Sequence, residues 1–188
     1  MNARVLRLLV GIALAVVTSA PLALADTILS PFVGRTFAGG AHDDFGSSSH
    51  FTAGGTLLGE GHLLGVEIDA QYVPHFFGGA SGSNVASLMA GLSLGFGDPN
   101  GPRFYGMAGA GILKTRVAGH EDFLDTDRNS FGVTVGGSVI VPVTGVLAVR
   151  GDLRYFRGLS NVSPARPQEA DLTGFHFFRA SVGLAIRL

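Results

Sequence analysis

Short blocks in which apolar residues alternate with polar or small ones run along this chain from residue 26 to its end. In the clearest block, residues 146–156, one face carries Leu147, Val149, Gly151, Leu153 and Tyr155, and the other carries Arg150, Asp152, Arg154 and Phe156. Side chains of a β-strand point alternately to its two faces, so a period of two residues predicts a strand. After Asp26 no segment repeats apolar residues at helical spacing over several turns. The alternation therefore predicts an all-β chain.

Eight such blocks occur, and the segments between them alternate in length. The blocks are residues 27–38, 50–59, 63–75, 84–96, 103–116, 130–142, 146–156 and 178–188. Short, turn-like connections at 59–62, 97–102 and 144–145 alternate with longer ones at 39–49, 76–83, 117–129 and 159–173. A tilted strand of about ten residues crosses the roughly 25 Å apolar layer of an outer membrane. The pattern predicts an eight-stranded antiparallel up-and-down transmembrane β-barrel, with both chain ends on the periplasmic side.

The placement of aromatic residues favours this membrane barrel over a soluble β-sandwich or a lipocalin-like barrel. Aromatics near the long connections are Phe37, Phe51, Phe76, Phe77, Phe131, Tyr155, Phe156, Phe175, Phe177 and Phe178, and those near a short turn are Phe96, Phe104 and Tyr105. Aromatic girdles at the two membrane interfaces predict such sorting. Charged residues make up only 14% of the chain, which is low for a solvated surface.

The first 25 residues predict a cleaved signal peptide. Arg4 and Arg7 give a positive start, a short apolar core follows, and small residues precede a cleavage site between Ala25 and Asp26. The alternative, a membrane anchor, needs roughly 20 apolar residues, but the uninterrupted run here is about half that length. We therefore predict a signal peptide at 1–25 and an outer-membrane β-barrel domain at 26–188.

Three segments resemble strands of a known family. Residues 104–111 (FYGMAGAG) look like its aromatic-then-glycine fifth strand, residues 149–155 (VRGDLRY) like its charged seventh strand, and residues 178–188 (FRASVGLAIRL) like its last strand. The chain thus resembles the outer-membrane β-barrel domain family of small OmpA-like and OmpX-like proteins over residues 26–188. The resemblance implies insertion by the barrel-insertion machinery, which often reads a terminal aromatic where this chain has Leu188. It implies no shared catalytic residues.

Charged residues on the polar faces of the blocks are expected inside the barrel, because a charge facing lipid at mid-membrane costs about 2–4 kcal/mol. An eight-stranded barrel is narrow enough for side chains to fill it. The predicted interior charged network consists of Glu67, Asp69, Lys114, Arg116, Arg150, Asp152, Arg154, Arg179 and Arg187. Such a network could fix the strand register as a buried structural element. Alternatively, it could line a narrow path for ions or small solutes.

The connections carry residues with the chemistry of metal sites, but not the spacing. Asp125, Asp127 and Asn129 resemble the start of a calcium loop, which then requires Gly and Glu where this chain has Ser130 and Gly136. His42, Asp43, Asp44 and His50 match no compact zinc pattern. The chain has no Cys, so neither a disulfide nor a thiolate-bound metal is available. We predict no metal and no cofactor.

Catalytic candidates are equally pattern-free. Ser48 or Ser49 with His50, and Ser160 or Ser163 with His176, are the nearest approaches to a lipid A-modifying site, and neither forms a nucleophile, base and orienting group. A net charge of −1 gives no bias toward nucleic acid.

The sequence therefore predicts a non-enzymatic, monomeric barrel with a structural or surface-interaction role carried by its long loops. The expected partners are outer-membrane lipids and lipopolysaccharide. A narrow porin-like channel is the alternative, and a lipid A-modifying enzyme comes third.

Overall fold

A computed structural model describes residues 26–37, 49–61, 63–76, 84–98, 101–117, 126–161 and 176–188, in which the main structure is eight β-strands. The strands are β1 (Asp26–Phe37), β2 (His50–Glu60), β3 (Leu64–Pro74), β4 (Asn84–Gly97), β5 (Arg103–Val117), β6 (Thr126–Pro142), β7 (Leu147–Asn161) and β8 (His176–Arg187). No helix within these ranges is long and apolar enough to cross a membrane. The predicted signal peptide, residues 1–25, lies outside the described residues.

Each strand pairs antiparallel with the next, and β8 pairs with β1, so the sheet closes into a barrel. Following the paired residues once around the eight strands from Thr27 leads back to Phe37, a shear of 37 minus 27, or ten residues. Closure pairs every strand on both sides and leaves no open edge. The predicted fold, an eight-stranded antiparallel up-and-down barrel, is confirmed.

The strands alternate between a buried lumen face and an exposed outer face. On β3, Glu67, Asp69 and Gln71 are buried, whereas Ile68 and Tyr72 are 41% and 49% exposed. The outer face is predominantly apolar around the barrel, as Val33 on β1, Leu92 on β4, Ile112 on β5 and Val182 on β8 illustrate. An exposed apolar wall is the surface that a transmembrane barrel presents to lipid.

Two strands extend well beyond the predicted blocks, whereas the ends of the others differ by at most two residues. β6 begins at Thr126, not at residue 130, and β7 continues to Asn161, beyond residue 156. Asp127 and Asn129 therefore pair with Arg116 and Lys114 of β5 and do not belong to a loop. Their extended backbone cannot wrap around a cation as the start of a calcium loop does.

The aromatic residues divide between the two faces. Phe37, Phe51, Phe131 and Phe178 at the long-connection end and Phe96 and Phe104 at the short-turn end are exposed on the outer wall, as predicted for girdles. The prediction was wrong for the buried residues Phe76, Phe156, Phe177 and Tyr105. The reason is alternation, because residues next to each other in a strand, such as Phe104 and Tyr105, point to opposite faces. Phe77 and Phe175 lie outside the described residues.

Candidate functional site: the barrel interior

Six of the nine residues predicted for the interior network lie together in the lumen. Glu67 and Asp69 come from β3, Arg150, Asp152 and Arg154 from β7, and Arg179 from β8. Three strands lie between β3 and β7 in either direction around this eight-stranded barrel, so the two strands stand on opposite sides of the lumen. Ion pairs between them therefore cross the lumen and tie its opposite walls together.

Glu67 accepts hydrogen bonds from two of these arginines. Arg150 Nη2 donates to Glu67 Oε2 at 2.7 Å, and Arg154 Nη2 donates to Glu67 Oε1. Arg150 Nη1 also donates to Thr56 Oγ1 on β2 at 3.0 Å. Both oxygens of the carboxylate are thus used by charged donors, which gives the strongest class of protein hydrogen bond.

Asp69 is held by Arg179 in a two-pronged pair. Arg179 Nη1 and Nη2 donate to Asp69 Oδ1 and Oδ2 at 3.0 and 2.9 Å, and Nη1 also donates to Gln71 Oε1 at 3.0 Å. The Arg179 guanidinium lies over the ring of Phe32, 4.2 Å from its centroid. The room for that ring comes partly from Gly54, where an added Cβ would stand 2.6 Å from Phe32 Cζ. This glycine therefore allows the ring and the cation to stack inside a narrow lumen.

Asp152 joins the two halves of the network. Arg154 Nε and Nη2 each donate to it at 2.8 Å, and Arg179 Nη2 donates to its Oδ1 at 3.0 Å. Arg150 Nη2 also reaches Asp152 Oδ2, at 3.3 Å. Three carboxylates thus face three guanidiniums, so the formal charge of this cluster is three minus three, or zero. Each of the six groups has a partner of opposite charge, as burial of ions requires.

The three remaining residues of the predicted network are placed differently. Lys114 is exposed on the outer wall, which corrects the prediction, because β5 buries its odd-numbered residues Leu113 and Thr115. Arg187 follows the inward alternation of β8 but is exposed at the short-turn mouth of the barrel. The side chain of Arg116 lies outside the described part of the chain.

A second polar cluster at the short-turn mouth was missed by the sequence reasoning. Glu60 of β2 forms an ion pair with Arg103 of β5, and Tyr105 Oη donates to Glu60 Oε1 at 2.9 Å. The Arg103 guanidinium lies 5.6 Å from the centroid of the Tyr105 ring. Because Arg103 and Tyr105 are two residues apart, the alternation itself predicts one shared face. That signal was available, but the proximity of Tyr105 to a turn suggested a girdle position.

Apolar layers lie on both sides of the ionic network along the barrel axis. Toward the long connections, the lumen is filled by Val73, Phe76, Val85, Met89, Leu113, Phe156 and Phe177, which we call the aromatic cap. Phe156 stacks on Phe177 with centroids 4.8 Å apart, and Phe76 meets the edge of Phe177 at 5.5 Å. Toward the short turns, a thinner apolar layer contains Ile28, Leu58, Tyr105, Ile140 and Ala185. The ionic network lies between two apolar plugs.

A cavity of about 40 Å³ opens at the short-turn mouth. Its walls include Arg103, Arg187 and the turn residues 144–146, and its floor is formed by Ile28, Ile140 and Ala185 of the thin apolar layer. This volume is enough for a few water molecules. The cavity does not include the residues of the central network.

The other candidate chemistry finds little support in the described residues. No group of three or more His, Asp or Glu side chains there could hold a metal ion. Ser49 Oγ accepts a hydrogen bond from Arg35 at 2.8 Å, His50 stacks on Phe76, and His176 packs against Tyr155. His42, Asp43, Asp44, Ser48, Asp125 and Ser163 lie outside the described residues, as does the side chain of Ser160.

Comparisons with known proteins find matches among solved structures but none among family models or curated sequences. No protein-family model and no curated protein matches the sequence. Among solved structures, the Neisserial surface protein A matches with a TM-score of 0.65 and 14% identity, over 87% of this chain and 97% of that one. The N-terminal β-barrel domain of Pseudomonas aeruginosa OprF matches with a TM-score of 0.59 and 15% identity, over 87% and 98%.

A third structure, the attachment invasion locus protein Ail of Yersinia pestis, matches with a TM-score of 0.54 and 13% identity, over 87% of this chain and 97% of that one. At these identities the likeness concerns the fold. This chain therefore has the fold of the small outer-membrane barrels that its sequence resembles. The shared fold and the apolar outer wall both support an outer-membrane location.

Proposed function

We propose that this chain is a closed, non-enzymatic outer-membrane barrel that holds its four long connections at the cell surface for a structural or surface-interaction role. The observation that carries the proposal is the filled lumen, in which a charge-balanced network lies between two apolar layers. The first described strand begins at Asp26 and the last ends at Arg187, both at the short-turn end of the barrel, and we assign that end to the periplasm.

The lumen argues for a scaffold because the charged groups at its centre are already paired with one another. A conducting path needs a continuous water-filled passage through the barrel. Here Glu67, Arg154 and Arg179 have no exposed surface, and a permeating ion would have to break buried ion pairs of the kind whose disruption costs about 3–5 kcal/mol. It would then have to pass the stacked rings of Phe156 and Phe177.

The long connections support a surface role by their length and position. They join strands at one end of the barrel through residues 38–49, 75–83, 118–125 and 162–175, whereas the opposite end has the short segments 61–63, 98–102 and 143–146. Binding residues are disproportionately carried on loops that a rigid scaffold positions. Two of the structural neighbours are named a surface protein and an attachment invasion locus protein.

Conductance of the folded chain in planar lipid bilayers tests the closed lumen. We expect no discrete channel steps from the unmodified protein. A variant that removes the stacked pair of the aromatic cap, Phe156→Ala with Phe177→Ala, is the matched comparison, and it should also remain silent because the ionic network still blocks the lumen. Regular steps from the unmodified barrel would contradict the proposal and support the porin-like alternative.

A short epitope tag inserted in residues 162–175 tests the surface assignment. Antibody should label intact cells that carry this tag, whereas a tag in the turn at residues 143–146 should be labelled only after the outer membrane is permeabilised. The reverse labelling would show that the orientation is inverted. An unchanged lipid A mass spectrum in cells with and without the protein is the expected result for a barrel without lipid-modifying activity.

A further inference from the structure

The charges of the described strand side chains are sorted by face. All described carboxylates of the strands (Glu60, Glu67, Asp69 and Asp152) point into the lumen. On the outer wall, the charged side chains of the described strand residues are Arg35, Lys114 and Arg157, all three cations. All three lie near the long-connection ends of their strands. The outer wall near the short turns carries Phe96 and Phe104 instead.

Arg35 on β1 and Arg157 on β7 flank a group of outward aromatic rings on β7, β8 and β1. Arg157 is paired with His176, Tyr155 with Phe178, and Phe178 with Phe37 across neighbouring strands. The Phe178 ring lies 5.0 Å from Tyr155 and 6.0 Å from Phe37, and His176 lies 5.9 Å from Tyr155. We call this surface the basic–aromatic patch; it consists of Arg35, Phe37, Tyr155, Arg157, His176 and Phe178.

Arg35 extends along the wall toward the membrane surface. Its position in β1 is two residues farther from the strand end than Phe37, yet its Nη1 donates to Ser49 Oγ, just before β2 begins, at 2.8 Å. Long cationic side chains near the end of a membrane segment reach for the polar interface in this way. The guanidinium is therefore directed toward the long-connection rim, where a polar interface is expected, and away from the apolar middle of the wall.

We propose that the basic–aromatic patch binds the phosphate groups of a phosphorylated lipid in the leaflet that surrounds the long-connection end, and so holds lipopolysaccharide against β7, β8 and β1. The inference rests on the orientation given under the proposed function. Guanidinium groups form paired, charge-assisted hydrogen bonds with phosphate. Phe37 and Phe178 lie between the two arginines and offer a flat apolar surface to the upper part of the acyl chains. The absence of described outward carboxylates removes a source of repulsion for an anionic headgroup.

Native mass spectrometry of the folded chain in detergent micelles, titrated with bis-phosphorylated lipid A, tests the proposal. Each cation near an anionic lipid surface contributes about 1 kcal/mol, or roughly fivefold in affinity. We therefore expect the double variant Arg35→Gln with Arg157→Gln to weaken lipid A binding about thirtyfold. The matched control is Lys114→Gln, which removes an outward cation of the same girdle on β5, across the barrel from β1.

Two outcomes would overturn the proposal. One is an unchanged affinity of the double variant. The other is an equal loss per charge in the Lys114→Gln control, which would mean that any outward cation near the long-connection rim attracts the lipid. If the double variant does not fold, the unmodified chain decides the matter with dephosphorylated lipid A, which should bind at least about tenfold more weakly. Competition by inorganic phosphate should have no effect at millimolar concentration if the lipid is the ligand. A folded, non-conducting barrel without phosphate preference would remove this inference and leave the proposed function standing.

Discussion

The two faces of the barrel wall belong to the same strands but accommodate charged residues in opposite ways. Inside, Glu67, Asp69 and Asp152 are paired with three arginines in a cluster without net charge. Outside, the middle of the described wall is apolar, and the cations Arg35, Lys114 and Arg157 lie toward one rim. A closed lumen can provide a partner for each charge, whereas lipid chains can provide none. The position of a residue in the alternation therefore decides whether its charge stabilises or destabilises the barrel.

Neutralising the central carboxylate should give the largest loss on the lumen side. In Glu67→Gln, the buried Arg150 and Arg154 lose their shared carboxylate, and the cluster keeps three cations against two anions. Removing one partner of a buried ion pair costs about 3–5 kcal/mol. Urea unfolding in lipid vesicles, followed by the gel mobility of unboiled samples, measures this loss. The neighbouring outward change Ile68→Val serves as the control, and a Glu67→Gln midpoint equal to it would show that the network does not stabilise the barrel.

Placing a charge on the other face of the same strand tests the comparison directly. Ile68 lies next to Asp69 in β3 but is exposed on the wall, near the middle of the strand. Ile68→Arg should destabilise the barrel by about 2–4 kcal/mol, because an arginine at the bilayer midplane has no partner there. The same urea titration measures the effect. A fully tolerated arginine at residue 68 would mean that this surface does not face lipid.

Much of this organisation could be predicted from the sequence, because a period of two residues fixes which side chains share a face. The eight strands follow from that alternation, and the inward positions of Arg150, Asp152 and Arg154 follow from it together with the cost of a charge that faces lipid. Which carboxylate meets which arginine does not follow from it. Those contacts depend on the shear of ten residues, which brings β3 and β7 to matching heights across the lumen.

The errors also have a physical origin. Lys114 was expected inside because a charge in a membrane strand is usually buried, but near a strand end a lysine can reach the interface from the outer wall. Phe156 and Phe177 were counted among the girdle aromatics because they lie near long connections, although the alternation already placed Phe156 on the face of Arg154. Their neighbours Tyr155 and Phe178 occupy the outward positions. Proximity to a strand end fixes the height of a residue along the barrel, and only the alternation fixes its face.

The smallest expected effect concerns the mouth of the barrel, where the interior meets the short turns. Tyr105→Phe removes the hydrogen bond from Tyr105 Oη to Glu60 Oε1, while Glu60 keeps its ion pair with Arg103. We expect a loss of about 0.5–1.5 kcal/mol, since one buried hydrogen bond is removed and its acceptor retains a charged partner. The control makes the same chemical change on the outer wall, Tyr72→Phe, where the ring is 49% exposed. If both substitutions shift the urea midpoint equally, the hydroxyl of Tyr105 stabilises the barrel no more than the exposed hydroxyl of Tyr72 does. A larger shift for Tyr105→Phe would establish that the mouth of the lumen, like its centre, is stabilised by polar groups that satisfy one another.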